Sequence, residues 1–367
     1  MIDMSALFGG TYANRRVLVT GHTGFKGSWL VLWLQSMGAR VSAIGLPTAT
    51  TPSHHALLKL APDDVLVDIR DAAAVRDAVT TFAPDIVFHL AAQALVRESY
   101  ASPSETFDVN VMGLVNVLEA VRATASVRAI VNVTTDKCYR QTANHQPFTE
   151  SDALGGHDPY SASKACAEIV SASYRESFLA NRHGHPIAFA TARAGNVIGG
   201  GDWATDRLIP DLARAAAARC TVGIRSPHAI RPWQHVLEPL AGYLLLGQQL
   251  LEQVGHSTQF SDAWNFGPQA AGHLTVGEVV TEFSRHWCDV QTEIDQNTHR
   301  HEAAVLQLDC TKAHEQLGWH PVWNAATMIE RCALWYRNWY TSGTVSTRQD
   351  LADYVHDAAA QYLPWAA

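Results

Sequence analysis

Two short polar segments contain the side chains that are best suited to acid–base chemistry. The first reads Thr135-Asp136-Lys137, and the second contains Tyr160 and Lys164 within PYSASK. Residues four apart share one face of a helix, so Tyr160 and Lys164 can point into one pocket. An ammonium group beside a phenol lowers the pKa of the phenol, which would make Tyr160 a base near neutral pH. This spacing also arises by chance on protein surfaces, so its interpretation depends on the surrounding motifs.

A glycine-rich turn lies far upstream of both segments. The apolar run 16–20 is followed by GHTGFKG, with the glycines spaced as GxxGxxG. Between a strand and a helix, such a turn offers backbone amides and the positive end of the helix dipole to a dinucleotide pyrophosphate. We therefore predict a dinucleotide site here. Its predicted contacts in the turn are Gly21, Thr23, Gly24, Phe25, Lys26 and Gly27.

Two further segments are predicted to contact the same cofactor. Asp68-Ile69 ends the third predicted strand, where the carboxylate would hold the adenine amine or instead cap the helix that begins at Ala72. The small residues in Leu90-Ala91-Ala92, after the fourth predicted strand, would let a ribose or nicotinamide lie against the backbone.

In NAD proteins an acidic side chain after the second strand usually accepts a hydrogen bond from the adenosine ribose, and this acid is missing here. The second predicted strand is followed by Leu46-Pro47-Thr48, and this loop also lacks an arginine that would select NADP. Hydroxyl groups of Thr48, Thr50 or Thr51 are the alternatives. The loop itself therefore does not select between NAD and NADP.

Short apolar runs alternate with helical patterns through the first half of the chain. Strands are predicted at 16–20, 40–44, 65–69, 85–90, 129–133 and 187–193, and helices at 25–37, 72–82 and 103–123. A further helix begins at Asp158-Pro159 and carries Tyr160. Continuous apolar strands separated by helices predict a doubly wound parallel α/β sheet, the Rossmann architecture.

This alternation of strands and helices ends near residue 195, and glycines, short helices and isolated strand candidates such as 304–308 follow. We predict a Rossmann domain at 1–194 that carries the catalytic residues. A smaller α/β substrate-binding lobe with C-terminal helices is predicted at 195–367, with a helix near 237–252 returning to the first domain.

Composition excludes several classes of function. The 27 basic and 35 acidic residues give a net charge of -8, without the basic surplus of a nucleic-acid-binding protein. The six cysteines form no CxxC pair, so we predict neither a metal site nor a disulfide framework. Apolar runs are too short to span a bilayer, and the N-terminus has no basic region, so a soluble cytoplasmic protein is expected.

Together, these motifs resemble one family of sugar-nucleotide enzymes. The segments VTGHTGFKG, FHLAAQ, TTDKCY, DPYSASKACAE, RAGNVIGGGDWA, RPWQHVLEPL and WNFGP closely resemble CDP-glucose 4,6-dehydratases, in the extended short-chain dehydrogenase/reductase superfamily. The resemblance runs from about residue 17 to 323. It implies NAD as cofactor, oxidation of the sugar at C4, elimination of water across C5 and C6, and return of the hydride to C6.

The same resemblance implies roles for the catalytic set. Tyr160, supported by Lys164, would take the proton of the C4 hydroxyl while Thr135 orients that oxygen. Asp136 would protonate the C6 hydroxyl, which requires a raised pKa. Lys137 would be the base at C5 if its pKa is lowered, or would otherwise stabilise the enolate, and the sequence leaves both roles open. The alternative without catalysis is that Asp136 caps a turn with Lys137 as its solvated partner.

Arginine and aromatic side chains are the candidates for binding the nucleotide. Guanidinium groups suit a diphosphate, and indole faces suit a pyrimidine. The predicted substrate-binding residues are Gln93, Arg193, Asn196, Trp203, Arg207, Arg231 and His301. Arg193 ends an apolar strand and is equally a candidate for a structural ion pair.

The same motifs are compatible with other functions and do not define the oligomeric state. The alternatives are a dehydratase of a GDP-, TDP- or heptose-linked sugar nucleotide, a sugar-nucleotide 4-epimerase and a non-catalytic NAD-binding protein. An epimerase needs no elimination acid, so Asp136 argues against it. Proteins that resemble this one associate through helices of the first domain, which predicts a homodimer or homotetramer through 103–123 and 160–178.

Overall fold

A seven-stranded parallel sheet lies at the centre of the fold, which confirms the predicted doubly wound class. The structure, a computed structural model, describes residues 2–60, 62–141, 146–180, 185–295 and 305–367. The strands are β1 (Arg16–Thr20), β2 (Arg40–Gly45), β3 (Asp63–Leu66), β4 (Ile86–His89), β5 (Ala129–Val133), β6 (Ala188–Ala194), β7 (Val197–Ile198), β8 (Thr221–Ile224), β9 (Ile230–Pro232), β10 (Gln234–His235), β11 (Ala263–Phe266), β12 (His273–Thr275) and β13 (Gln291–Ile294).

Helices connect and cover these strands. They are α1 (Phe25–Ser36), α2 (His54–Leu58), α3 (Ala72–Phe82), α4 (Val96–Ala101), α5 (Pro103–Phe107), α6 (Gly113–Ala123), α7 (Pro159–Tyr174), α8 (Leu208–Ala218), α9 (Leu237–Gln253), α10 (Val276–His286), α11 (Ala325–Ser342) and α12 (Thr347–Ala360). Shorter 3-10 segments span Met4–Gly10, Asp136–Cys138, Ala270–Gly272 and Pro364–Ala366, and π-helical turns span Asp108–Met112, Arg175–Leu179 and Ala313–Leu317.

The strand order of the large sheet is β11-β6-β5-β4-β1-β2-β3. The direction of strand addition therefore reverses between β1 and β4, and the crevice at the carboxyl ends of those two strands is where such sheets bind ligands. On β1, Val17 and Val19 lie on the face of the sheet that α1 and α9 cover. Leu18 lies on the opposite face, which α3 and α6 cover. Because both faces are covered, the central strands are continuous apolar runs without polar alternation.

Most predicted elements have the expected bounds, with two informative differences. The third strand was predicted at 65–69 but occupies Asp63–Leu66, because its partner β2 ends at Gly45, which pairs with Leu66. The helix predicted at 103–123 is divided into α5 and α6 by the π-helical turn Asp108–Met112.

Residues beyond 195 also contribute to the large sheet. Strand β11 pairs in parallel with β6, and α9 packs on β5 and β6. The remaining strands form three two-stranded sheets, β7 with β10, β9 with β12 and β8 with β13, beside an aromatic core that includes Trp203 and Trp335. Of the strand candidate 304–308, the first residue lies outside the described residues, and Val305 and Leu308 form isolated bridges. The domain boundary at 194 stays a prediction.

The helices offer no candidate for a membrane span. Within the part of the chain that the structure describes, none is both long and apolar enough to cross a bilayer.

Candidate active site

The carboxyl ends of the sheet strands open onto one cavity of about 1380 Å³. With the exception of Arg193, every predicted site residue that the structure describes lines this cavity. His301 lies outside the described residues. Pockets for a single drug-sized ligand measure about 300–1,000 Å³, so this space can hold a dinucleotide together with a second ligand.

The glycine turn packs so closely that side chains are excluded from it. Gly21 has a φ of +77°, and a Cβ atom there would lie 2.7 Å from the backbone nitrogen of Ala91. A Cβ atom at Gly27 would lie 2.1 Å from the carbonyl oxygen of Gly21. Helix α1 begins after Gly24 without a side-chain cap, so its first-turn amides are available to an anion. The turn therefore fits the pyrophosphate of a dinucleotide.

The side of the cavity beside β2 and β3 contains the residues predicted to bind adenosine. Asp68 lines the cavity, and its carboxylate accepts from the Arg70 guanidinium at 2.6 Å. That hydrogen bond lowers the pKa of Asp68. Helix α3 is capped by Asp71, whose carboxylate accepts from two backbone amides, so the capping alternative for Asp68 is wrong. Among the three threonines proposed to replace the missing acid, Thr50 lines the cavity.

Helix α7 holds the tyrosine and lysine at the centre of the cavity. Its N-terminus is capped by Asp158, which accepts from the backbone nitrogen of Ser161 at 2.9 Å. Lys164 Nζ donates to the carbonyl oxygen of Val133 at 3.2 Å. Burial lowers the pKa of Lys164 to about 8, against the opposing negative charge of Glu168.

The phenol of Tyr160 differs from the expectation. Burial raises the pKa of Tyr160 to about 12, although a hydrogen bond with Thr135 and the positive charge of Arg207 oppose the rise. The predicted lowering by Lys164 is therefore wrong for this structure, since burial penalises the phenolate more strongly than its neighbours stabilise it.

The carboxyl group of Asp136 is suited to the role of an acid. Thr135 Oγ1 donates to Asp136 Oδ1 at 3.0 Å and accepts from the backbone nitrogen of Lys137. Burial raises the pKa of Asp136, while the charge of Lys137, the Thr135 hydrogen bond and the charge of Arg231 oppose the rise. Asp136 Oδ2 is buried beside Gly195 and has no hydrogen-bond partner among the described residues. A buried, unpaired carboxyl oxygen favours the neutral acid.

Lys26 extends from the glycine turn towards these catalytic side chains. Its Nζ atom lies 3.5 Å from the hydroxyl of Tyr243 on α9. Burial, together with the positive charges of Arg207 and Lys164, lowers the pKa of Lys26 to about 7. No sequence signal pointed to Tyr243, because α9 reads only as an apolar helix until its packing on the sheet is known.

Arg193 corrects the predicted set of substrate-binding residues. It is 3% exposed, its Nη2 atom lies 2.8 Å from Glu168 Oε2, and its Nη1 atom donates to the hydroxyl of Tyr139 at 2.7 Å. The side chain leaves β6 on the face covered by α7 and lies outside the cavity. The structural ion pair was the other reading of this residue, and the sequence offered no signal for Glu168 as its partner.

The other predicted substrate residues remain in the cavity wall. Arg207 Nη1 donates to Asp202 at 2.8 Å, and Arg231 is buried and donates to the carbonyl oxygen of Ile230. Trp203 packs edge-on against the aromatic core. The backbone oxygen of Asn196 accepts a hydrogen bond. The side-chain amide of Gln93 bonds to Leu95 and Thr106, so this residue orders its own loop.

Comparison with known proteins identifies the sequences and folds that this chain resembles. The family described as GDP-mannose 4,6 dehydratase matches residues 18–332. A CDP-glucose 4,6-dehydratase from Salmonella typhimurium is 45% identical over 351 residues, which cover 94% of this chain and 97% of that protein. A UDP-glucose 4-epimerase from Mycoplasma pneumoniae is 28% identical, over 89% of this chain and 97% of its own length.

Two solved structures with bound NAD have the same fold. A double mutant of the dTDP-glucose 4,6-dehydratase from Streptomyces venezuelae superposes with a TM-score of 0.72 and 25% identity, covering 88% of this chain and 97% of that one. The UDP-glucose 4-epimerase from Thermus thermophilus superposes with a TM-score of 0.75 and 25% identity, covering 88% of this chain and 99% of that one.

Proposed function

This chain belongs to the GDP-mannose 4,6 dehydratase family, and we propose from that premise that it is an NAD-dependent CDP-glucose 4,6-dehydratase. The observation that carries the choice of substrate is the 45% identity across 97% of a CDP-glucose 4,6-dehydratase. The cavity supports it, because one space is lined by Thr135, Asp136, Lys137, Tyr160 and Lys164.

Bound NAD supplies the hydride acceptor for oxidation at C4 and the hydride donor at C6. Tyr160 takes the proton from the C4 hydroxyl, and Thr135 orients that oxygen. A phenol pKa of about 12 leaves little phenolate at neutral pH, so we infer that proton transfer accompanies hydride loss. The charge of Lys164, one turn along α7 in the same cavity wall, would favour the transfer.

Elimination requires an acid at C6 and removal of the proton at C5, which the new ketone acidifies. Asp136, with its raised pKa, donates to the departing hydroxyl. Lys137 acts as the base at C5 or stabilises the enolate. Lys26, with its pKa lowered to about 7, is partly protonated at neutral pH and adds to the positive charge of the catalytic region.

Incubation of the purified chain with CDP-glucose tests this function. We expect a product lighter by one water, a 4-keto chromophore in alkali and no net NADH. TDP-, UDP- and GDP-glucose and a CDP-heptose serve as the comparison panel, and we expect CDP-glucose to react fastest. Failure to form this product at saturating NAD would reject the proposal, and a change of C4 configuration without change of mass would identify an epimerase.

The dehydration rate should fall as pH rises through about 8. Lys164 loses its charge through a pKa of about 8, and Asp136 loses its acidic proton as pH rises, so both titrations act in the same direction. The rate is measured from pH 6 to 9.5 at saturating substrate and NAD. Recovery of full activity after return from pH 9.5 to 7 controls for unfolding. A flat or rising rate above pH 8 would contradict the assignment.

We propose a homodimer formed through α5, α6 and α7. Large apolar side chains are exposed along these helices and the π-helical turns beside them, namely Phe107, Met112, Ile169 and Phe178.

Six free cysteines fit a reducing compartment, which supports a cytoplasmic location.

Ile169→Arg should convert the dimer to a monomer in light scattering. Ile169 is 58% exposed on α7, and a charge in an apolar interface is strongly unfavourable. The matched control is Ile294→Arg on β13, where the isoleucine is 63% exposed and far from these helices in the chain. A parent protein that is already monomeric, or equal masses for the parent and Ile169→Arg, would count against this interface.

A further inference from the structure

Three side chains with metal-binding atoms meet beside the glycine turn. His22 comes from the turn after β1, His55 from α2 and Asp64 from β3, and their ligand atoms all lie within 4.8 Å of one another. His22 Nε2 lies 3.4 Å from Asp64 Oδ2, and the two imidazole rings meet edge to face with centroids 5.0 Å apart. The three residues have no short sequence spacing, so the prediction of no metal site had no means of finding them.

Three ring nitrogens of this group have no hydrogen-bond partner among the described residues. His22 is fully buried, and neither of its ring nitrogens has a hydrogen-bond partner among the described residues. Nδ1 of His55 is also buried without one. Buried polar groups are nearly always paired, so an unsatisfied pair of facing histidines indicates that something not present in the protein chain itself completes the cluster.

We propose that His22, His55 and Asp64 bind a divalent transition-metal ion, for which zinc is the best fit. Two imidazole nitrogens and one carboxylate oxygen are a typical zinc ligand set that leaves a fourth, tetrahedral position for water. Zinc bonds of about 2.0–2.1 Å place tetrahedral ligand atoms about 3.4 Å apart. The His22–Asp64 pair already has this separation, and the ligand atom of His55 lies within 4.8 Å of both, so a small inward movement of its short helix would complete the site.

The three residues would hold the ion at the wall of the cavity. A Cβ atom at Gly45, the last residue of β2, would lie 3.0 Å from His22 Nδ1, and Gly45 lines the cavity. Ser53 and His54, next to His55, also line it. Zinc would therefore tie together the glycine turn, the segment after β2 and the start of β3. This is the wall from which the usual ribose-binding acid is missing. The site does not depend on the proposed dehydratase activity.

Calorimetric titration of the untagged, EDTA-treated protein with zinc chloride tests this site. We expect one saturable zinc ion per chain, a raised midpoint of thermal unfolding, and intense visible absorption when cobalt is used as a tetrahedral probe. His55→Ala removes one ligand, and Asp64→Asn replaces a carboxylate by a weaker neutral ligand. Neither residue is fully buried, and each change should weaken zinc binding by about tenfold or more.

The matched control is His256→Ala, which removes an exposed histidine beyond α9 and should leave the affinity unchanged. Circular dichroism of each variant checks that the fold is retained. Absence of saturable binding would overturn the proposal and leave only an ion pair between His22 and Asp64. Zinc binding that survives both His55→Ala and Asp64→Asn would also overturn it, since the ion would then lie elsewhere on this histidine-rich chain.

Discussion

Asp136→Asn should leave oxidation at C4 intact and stop the reaction before water is lost. Asparagine has nearly the same size and its amide oxygen can still accept from Thr135, but it cannot deliver a proton to the C6 hydroxyl. Removing a general acid typically lowers the rate by a factor of about 10²–10⁴. We therefore expect dehydration to fall by that factor while protein-bound NADH accumulates and is detected by its near-ultraviolet absorbance.

The matched control for this variant is Asp289→Asn, which alters an exposed carboxylate outside the cavity wall. It should retain the parent rate and accumulate no NADH. If Asp136→Asn dehydrated CDP-glucose at the parent rate, the acid would have to be another group. If it lost activity without accumulating NADH, Asp136 would act before or during oxidation.

Tyr160→Phe should block the earlier step instead. The phenyl ring fills the same buried space, so the fold should be retained, while the group that takes the C4 proton is lost. We expect the dehydration rate to fall by about 10²–10⁴, with no NADH formed when substrate is added. The double variant with Asp136→Asn should behave like Tyr160→Phe, because oxidation must precede elimination. Rapid-mixing absorbance on all three variants measures this order.

Tyr340→Phe is the matched control, since Tyr340 is partly exposed on α11 and outside the cavity wall. It should leave the rate unchanged. Near-parent activity of Tyr160→Phe would require a different base, and accumulation of NADH in that variant would show that proton removal at C4 does not need the phenol.

Features set by neighbouring residues were predictable from the sequence. The glycine turn, the Asp158 cap of α7 and the apolar runs of β1 and β5 depend on contacts within a few positions, so residue type and spacing are sufficient. The strand at 65–69 was misplaced because its end is set by the ladder with β2, which comes from another part of the chain.

Features set by distant contacts were not predictable. The ion pair of Arg193 depends on Glu168, and the ammonium of Lys26 lies beside Tyr243, which reaches the site through the packing of α9. Burial, which raises the pKa of Tyr160 against its cationic neighbours, is a property of the folded chain as a whole.

The pairing of β11 with β6 bears on how the protein is made. A nascent chain that has reached residue 194 contains six of the seven strands, yet its outermost strand still has an unpaired edge. The apolar surface of β5 and β6 also stays uncovered until α9 leaves the ribosome. Such edges and surfaces promote association between unfinished chains. Translation must therefore pass Phe266 before the amino-terminal half can complete its sheet.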